Sequence, residues 1–489
     1  MSALGARPVS MRSGLIDEAR ERAHTIGRPV LLSIVEPVGA ADPLELIESA
    51  SSLDRSSRQL IGCDDARMYW GRPSDGFSLA SIGAASVIAP SGSARFADAQ
   101  REWSTLLESA FVHDEDGGGT GTGPLLLGGF AFDAGDRSAR WRDFSDSRLV
   151  LPRLLLTTSG NSRHLTINLL VDEEGACGVD PAALASAGHA LVRRASRAAG
   201  ARRESDARLA AEGSDVIPAA QWKEMVAEAV VSIKRGDFEK VVLAREVRVP
   251  IPADVDVIAT LRALRAACDD CYVFGVWSGT SVFVGASPER LVRLDGSSVR
   301  ASSLAGSIRR GLDAGEDASL AAELQSSAKD REEHELVRRF LCESLAELCD
   351  DVTASATPFL LTLPQVHHLH TPVTGRLRPG HSLLELVDRL HPTPAVGGSP
   401  RTAALAFLRQ HERLDRGWYA APVGWLQRDH GEFAAALRSA LLTDRDASLF
   451  AGCGLVADSD PEREYAESQL KLRPMQLALG EAIGRDRDS

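Results

Sequence analysis

The sequence predicts an α+β protein. Two observations carry this: strand pairs closed by tight turns, and long amphipathic helices that stand beside those pairs instead of alternating with single strands. "CYVFGVWSGTSVFVGASPERLVRL" reads as two strands joined at Ser278, Gly279 and Thr280, and "GEFAAALRSALLTDRDASLFAGCGLV" as another pair. Of the helices, "AAQWKEMVAEAVVSIKRGD" carries an apolar stripe and stops near Gly236. "DASLAAELQSSAKDREEHELVRRFLCESLAEL" reads as one long helix.

The rest of the chain follows in order. In the first 205 or so residues, "RPVLLSIVEPV", "ASVIAP", "LLLGGFAFD" and "SRLVLPRLLLTT" read as strands. "DEDGGGTGTGP" (114–124) is glycine-rich. With no strand expected before it and no helix carrying Lys-Ser/Thr after it, it reads as a surface loop and not a phosphate cradle. The Ala- and Arg-rich stretch 193–215 reads as a connection. "KVVLAREVRV" is a strand.

Length and composition bound the function. The chain has 489 residues, 44% apolar and 25% charged, which suits a globular protein with a large core. A net charge of −13 argues against nucleic acid or an anionic membrane as the main partner, while leaving room for a local basic pocket. No apolar run is long enough to span a bilayer, and "MSALGARPVSMRSGLIDEARERAH" lacks the apolar core of a signal peptide, so the expected compartment is the cytoplasm. Seven scattered cysteines do not suggest a disulfide framework, and the lone "CDDC" of Cys268 and Cys271 reads as ordinary buried thiols.

Several charged residues sit against the pattern. In the long helix the apolar stripe Val337, Phe340, Leu341, Leu345 and Leu348 leads back, one turn earlier, to Glu333. A carboxylate there needs a neutralising partner unless the helix emerges into solvent at that point. In a strand over 432–442, Arg438 lies among Ala434, Ala436 and Ala440, which leaves space for a guanidinium to grip a carboxylate or phosphate, or else marks an exposed sheet face. Gly452 and Gly454 interrupt the next strand, where glycine marks close approach of a ligand or another backbone. The turn "HPTPAVGG" (391–398) offers backbone N–H groups. His367, His368 and His370 lack a ligating acid or cysteine nearby, so they read as packing or substrate contacts and not as a zinc site. Glu464, Glu467 and Lys471 share one helix face, either a solvated stripe or the wall of a site. Carboxylates without Cys or His partners suit a hard cation such as Mg²⁺, bridging an oxygen-rich anionic substrate.

These motifs, taken in order, resemble the chorismate-utilising enzymes, and within them the isochorismate synthases. The matching stretches are "EKVVLAR", "VFVGASPERLV", "SLAGSIRRG", "KDREEHELV", "QVHHLHTPVTGRL", "LHPTPAVGGSP", "RGWYAAPVGW", "GEFAAALRSAL", "AGCGLV" and "DPEREYAESQLK", spanning nearly all of 215–480. A fainter likeness reaches back to about residue 125. The resemblance implies two large stacked, mainly antiparallel β-sheets with helices outside, as in anthranilate synthase component I. Residues 215–480 would form the catalytic domain, with 1–205 adding strands and helices to the same globule. It implies chorismate as substrate, Mg²⁺ as cofactor, isomerase chemistry serving menaquinone or siderophore synthesis, and a monomer or homodimer. By the same resemblance Glu333 and Glu467 ligate the metal directly and Glu464 through water. Arg438 and Tyr419 hold the enolpyruvyl carboxylate beside Gly452 and Gly454. Gly306, Ser307, Gly397 and Gly398 line the ring end, with His368 and Ala395 also against substrate, and Lys471 sits beside the metal carboxylates. Lys240 is the water-activating base, which needs a lowered pKa, and Glu289 the general acid, which needs a raised one.

Three positions separate the relatives. Ammonia-adding enzymes carry an amide where this chain has Lys240; aminodeoxychorismate synthases often carry a nucleophilic lysine at the position of Ala305; enzymes that go on to eliminate pyruvate usually carry threonine at the position of Ala395. All three point to isochorismate as the released product, ahead of a salicylate synthase or a catalytically silent chorismate-binding protein. Ser303, Ala421 and His367 depart from the usual proline, glycine and glutamine without removing a catalytic group.

Overall fold

The computed structural model describes residues 10–62, 66–114, 117–135, 137–198, 211–363 and 366–485. Within them, twelve α-helices flank twenty-one strands. The architecture is α+β, as the hairpins and long helices predict. Phe111–Asp114 pairs in parallel with Val30–Pro37, and every other pairing among the described residues is antiparallel.

The strands form one hydrogen-bonded network that forks at Ser147–Ser159. One limb runs through Phe77–Ile88, Arg67–Arg72, Tyr272–Ser278, Ser281–Ser287, Ser439–Leu442 and Asp446–Leu455 to Lys240–Pro250. The other runs through Leu126–Phe130, Pro422–Leu426, His430–Ala435, Arg290–Asp295 and Ser298–Arg309 to Val366–Leu377. The two limbs meet at that one strand, Ser147–Ser159. N-terminal strands pair directly with later ones, Arg67–Arg72 with Tyr272–Ser278 and Leu126–Phe130 with Pro422–Leu426.

Two tight crossings between the limbs lie side by side: at Pro288 and Glu289, and at Ala436, Leu437 and Arg438. The two crossings are tied together. Ala435 N donates to Glu289 O at 3.1 Å and Ala286 N to Arg438 O at 3.2 Å. The second crossing corrects the expected strand over 432–442, which breaks into His430–Ala435 and Ser439–Leu442. Arg438 takes φ 49°, a left-handed conformation that a residue with a Cβ enters only when its surroundings impose it. Strand alternation therefore does not set where its side chain goes.

Other local readings need correction. The long helix is two, Ala314–Ser326 and Ala328–Ala346. Ser327 separates them in an extended conformation, its hydroxyl accepting from Asp330 N, so a serine cap outweighs the continuous helical pattern. Val337, Leu341 and Leu345 are buried as the stripe requires. The glycine loop near 117–124 has the strand Phe111–Asp114 before it, contrary to expectation, and the strand Leu126–Phe130 after it, with no helix to present to a phosphate. Residues 193–198, read as connection, finish the helix Pro181–Ala198, and 199–210 lie outside the described residues. Cys268 and Cys271 are joined as a disulfide and not kept as free thiols; the turn between Val257–Ala267 and Tyr272–Ser278 brings their Cα atoms to 5.5 Å, within bridging range. No helix among the described residues is long and apolar enough to cross a membrane.

Candidate active site

A cavity opens between the limbs where the chain crosses. Fourteen of the sixteen predicted site residues line it: Lys240, Glu289, Gly306, Ser307, Glu333, His368, Ala395, Tyr419, Arg438, Gly452, Gly454, Glu464, Glu467 and Lys471. Gly397 and Gly398 do not. Their backbone packs behind the wall, Gly397 O accepting from Val242 N at 3.1 Å and Gly398 pairing with Val241, so they position the Lys240 strand.

One end of the cavity is built for an anion. Arg438 is buried, and among the described residues no carboxylate pairs with it; burial alone pushes its pKa down to about 10, leaving it charged near neutrality. A buried cation without a counter-ion is costly, and an incoming carboxylate relieves that cost. Its guanidinium donates to His368 Nε2 at 2.9 Å. Arginine can only donate, so Nε2 accepts and the neutral ring carries its proton on Nδ1. Burial and the Arg438 charge keep His368 well below its ordinary pKa, in agreement with that tautomer. Nδ1–H then donates to Ser307 Oγ at 2.9 Å, leaving the Ser307 hydroxyl proton free to donate in turn. Gly306, at φ 78°, makes the approach possible: a Cβ there would stand 3.0 Å from the Asp330 Cβ.

The proton-transfer groups lie deeper. Glu289, at the first crossing, is 3% exposed. Burial outweighs the attraction of Lys240 and Lys471 and pushes its pKa up to about 8, so it holds its proton at pH 7. Lys240, at the head of its strand, is fully buried; its Nζ stands 2.8 Å from Glu333 Oε1 and has no hydrogen-bond partner besides this ion pair. Gly454 is what admits both. A Cβ there would fall 2.5 Å from Glu333 Oε1 and 2.9 Å from Lys240 Cε. The strand glycine thus marks close approach of side chains and not of a second backbone.

Each of the three predicted metal carboxylates is matched to a lysine: Glu333 to Lys240, Glu467 to Lys471 at 2.8 Å, and Glu464 to Lys329 at 3.2 Å. Glu464, 3% exposed, is driven above its ordinary pKa by burial and by the charge of Glu467. Atoms of Glu464, Glu467 and Cys453 converge within 4.8 Å of one another. Two crowded carboxylates facing a cavity fit a hard divalent cation, which would relieve their repulsion. The three histidines have separate partners: His367 with Asp317, His368 with Ser307 and Arg438, and His370 with Ser302.

The sequence profile of the chorismate binding enzyme family matches residues 15–480. The chain belongs to that family. It is 38% identical to a salicylate biosynthesis isochorismate synthase of Pseudomonas aeruginosa over 97% of this chain and 95% of the relative, and 34% identical to the isochorismate synthase MenF of Bacillus subtilis over 94% and 96%. Among solved structures, the menaquinone-specific isochorismate synthase MenF of Escherichia coli superposes with a TM-score of 0.72 at 24% identity, covering 95% of this chain and 99% of that one, a likeness of fold.

The cavity of this chorismate-binding enzyme also includes residues that sequence reasoning left unassigned. Arg416 is buried, lines the cavity and forks onto Glu412 with two bonds of 2.6 Å. It also donates to Val396 O and Val242 O, tying the 391–398 turn to the Lys240 strand. Its signal was only its place beside Tyr419. Lys329 and Asp330 lie in the quoted stretch "KDREEHELV" but carry no pattern of their own that separates them from a solvated helix start.

Proposed function

We propose that the protein is an Mg²⁺-dependent isochorismate synthase that converts chorismate to isochorismate and releases it. The observation that carries this is the pairing, in one buried cavity, of Lys240 with a glutamic acid that keeps its proton at pH 7. In this reading Lys240 is the base that takes a proton from water as that oxygen bonds to C2. The ring double bonds shift, the C4–O bond breaks, and the Glu289 carboxyl gives its proton to the departing hydroxyl. Glu333 and Glu467, with Glu464, would hold Mg²⁺, which when bound neutralises the ring carboxylate. The Ser307–His368–Arg438 chain, with its neutral imidazole and charged guanidinium, and the Tyr419 phenol, kept protonated by burial, suit the second carboxylate. The relatives' names, all isochorismate synthases, point to the same reaction. Ala395 in the cavity wall, where pyruvate-eliminating relatives usually carry threonine, favours release over elimination.

Incubation with chorismate, with and without Mg²⁺, and chromatographic resolution of the products tests the reading. A Mg²⁺-dependent mixture of chorismate and isochorismate supports it. Stoichiometric pyruvate and salicylate would show a lyase, and binding without turnover a silent binder.

Arg438→Gln separates substrate binding from folding. Loss of a buried charged hydrogen bond, about 1.5–3 kcal/mol, raises the chorismate KM about 10- to 100-fold. Because the guanidinium has no counter-ion in the free protein, the variant should melt no lower than wild type. An unchanged KM contradicts the assignment.

A further inference from the structure

Lys329 stands at the start of the helix Ala328–Ala346 and reaches Glu464 Oε1 at 3.2 Å. The two partners sit in different settings: the Lys329 side chain is 39% exposed and that of Glu464 3%. Lys329 belongs both to the wall of the inner cavity and to an outer cleft on the other side. That cleft holds Asp237, Glu239, Glu332, Glu335 and Asp458; Asp237 pairs with Arg235, Glu239 with Arg339 and Glu335 with Arg338, and among the described residues Glu332 and Asp458 have no salt bridge and can receive an ammonium.

The three lysines that neutralise the carboxylates are not equivalent. The Lys240 side chain is 1% exposed and that of Lys471 22%, and Lys471 is also fixed by a 3.0 Å bond to Gly452 O. Lys329 is the most exposed of them, and its flexible stem can leave Glu464 without crossing the core. A hard cation binds a carboxylate oxygen at about 2.1 Å. An ammonium 3.2 Å from the same oxygen carries like charge into the space such a cation needs.

We propose that Lys329 is a displaceable counter-ion: it neutralises Glu464 while no metal is present, and moves into the acidic outer cleft when a divalent cation takes Glu464. This rests on the divalent-cation reading of Glu464 and Glu467. Lysine and metal then compete for one carboxylate, and metal affinity in the absence of substrate is held down by the protein itself.

The test is Mn²⁺ binding to the full chain without substrate, followed by loss of the free-ion electron paramagnetic resonance signal. Lys329→Met, with the competitor removed, should bind Mn²⁺ about 5- to 30-fold more tightly, a change of about 1–2 kcal/mol. Lys329→Arg, which keeps the charge, should stay near wild type. Thermal melts of both variants verify folding, and Lys329→Gln substitutes for the methionine variant if that one does not fold. Equal or weaker Mn²⁺ binding in Lys329→Met overturns the proposal. Failure of the underlying reading looks different: Glu464→Gln and Glu467→Gln would then leave Mn²⁺ binding of the wild-type background unchanged.

Discussion

Glu289→Gln should lower kcat for chorismate by about 10²–10⁴-fold while leaving its binding near wild type. Glutamine keeps the shape of the side chain at the crossing and cannot give up a proton to the departing hydroxyl. The pH dependence follows from the same group. Its pKa is raised from 4.5 to about 8 by burial, so the wild-type kcat/KM should fall as pH climbs through about 8, and this limb should vanish in the variant. Stability moves with the same sign. A carboxyl whose folded pKa lies above its unfolded one contributes stability that is full below about 4.5 and lost as pH rises towards 8. The wild-type melting temperature should therefore drop between about pH 4.5 and 8 relative to Glu289→Gln, which does not titrate, and the difference should level off above about 8. A variant with unaltered kcat and the same alkaline limb would remove Glu289 from the chemistry.

Lys240→Met should abolish turnover to a comparable extent and also weaken the fold. Nζ is fully buried against Glu333, and removing one member of a buried pair leaves the other charge uncompensated, at a cost of about 3–5 kcal/mol. Two consequences separate the roles. In metal-free buffer, Lys240→Met should melt well below wild type. Adding Glu333→Gln should recover most of that loss, because no bare carboxylate remains, while turnover stays absent. If the double variant melts as low as the single one, the Lys240–Glu333 pair is not what holds Lys240 in place.

Much of the site was legible because it is written in short local motifs. "SPER" puts Glu289 at the first crossing, "AGCGLV" brings Gly452 and Gly454 under Tyr419 and Glu333, and the face of Glu464, Glu467 and Lys471 follows from helical spacing alone. Glu333 in line with Val337 and Leu341 left open a carboxylate in need of a partner, and Lys240 is that partner. What stayed hidden depends on tertiary contact. Arg438 reads as an alternating strand residue, yet the crossing between limbs imposes a left-handed backbone there. The helix break at Ser327 rests on one hydroxyl against thirty or so residues of helical pattern, and it is this break that sets Lys329 at the mouth of the cavity. Gly397 and Gly398 look like an anion-binding turn in sequence, but their neighbours are the backbone of the Lys240 strand. The pairing of Lys329 with Glu464 joins positions 135 residues apart, which no local pattern encodes.

In the proposed reaction water adds at C2 while the C4 hydroxyl leaves, and isochorismate is released. Turnover of chorismate in ¹⁸O-labelled water, followed by mass spectrometry of the isolated product, tests it most directly. The expected product is isochorismate carrying one ¹⁸O, at the C2 hydroxyl, with no pyruvate formed. Unlabelled isochorismate, or a product without the enolpyruvyl group, would contradict it.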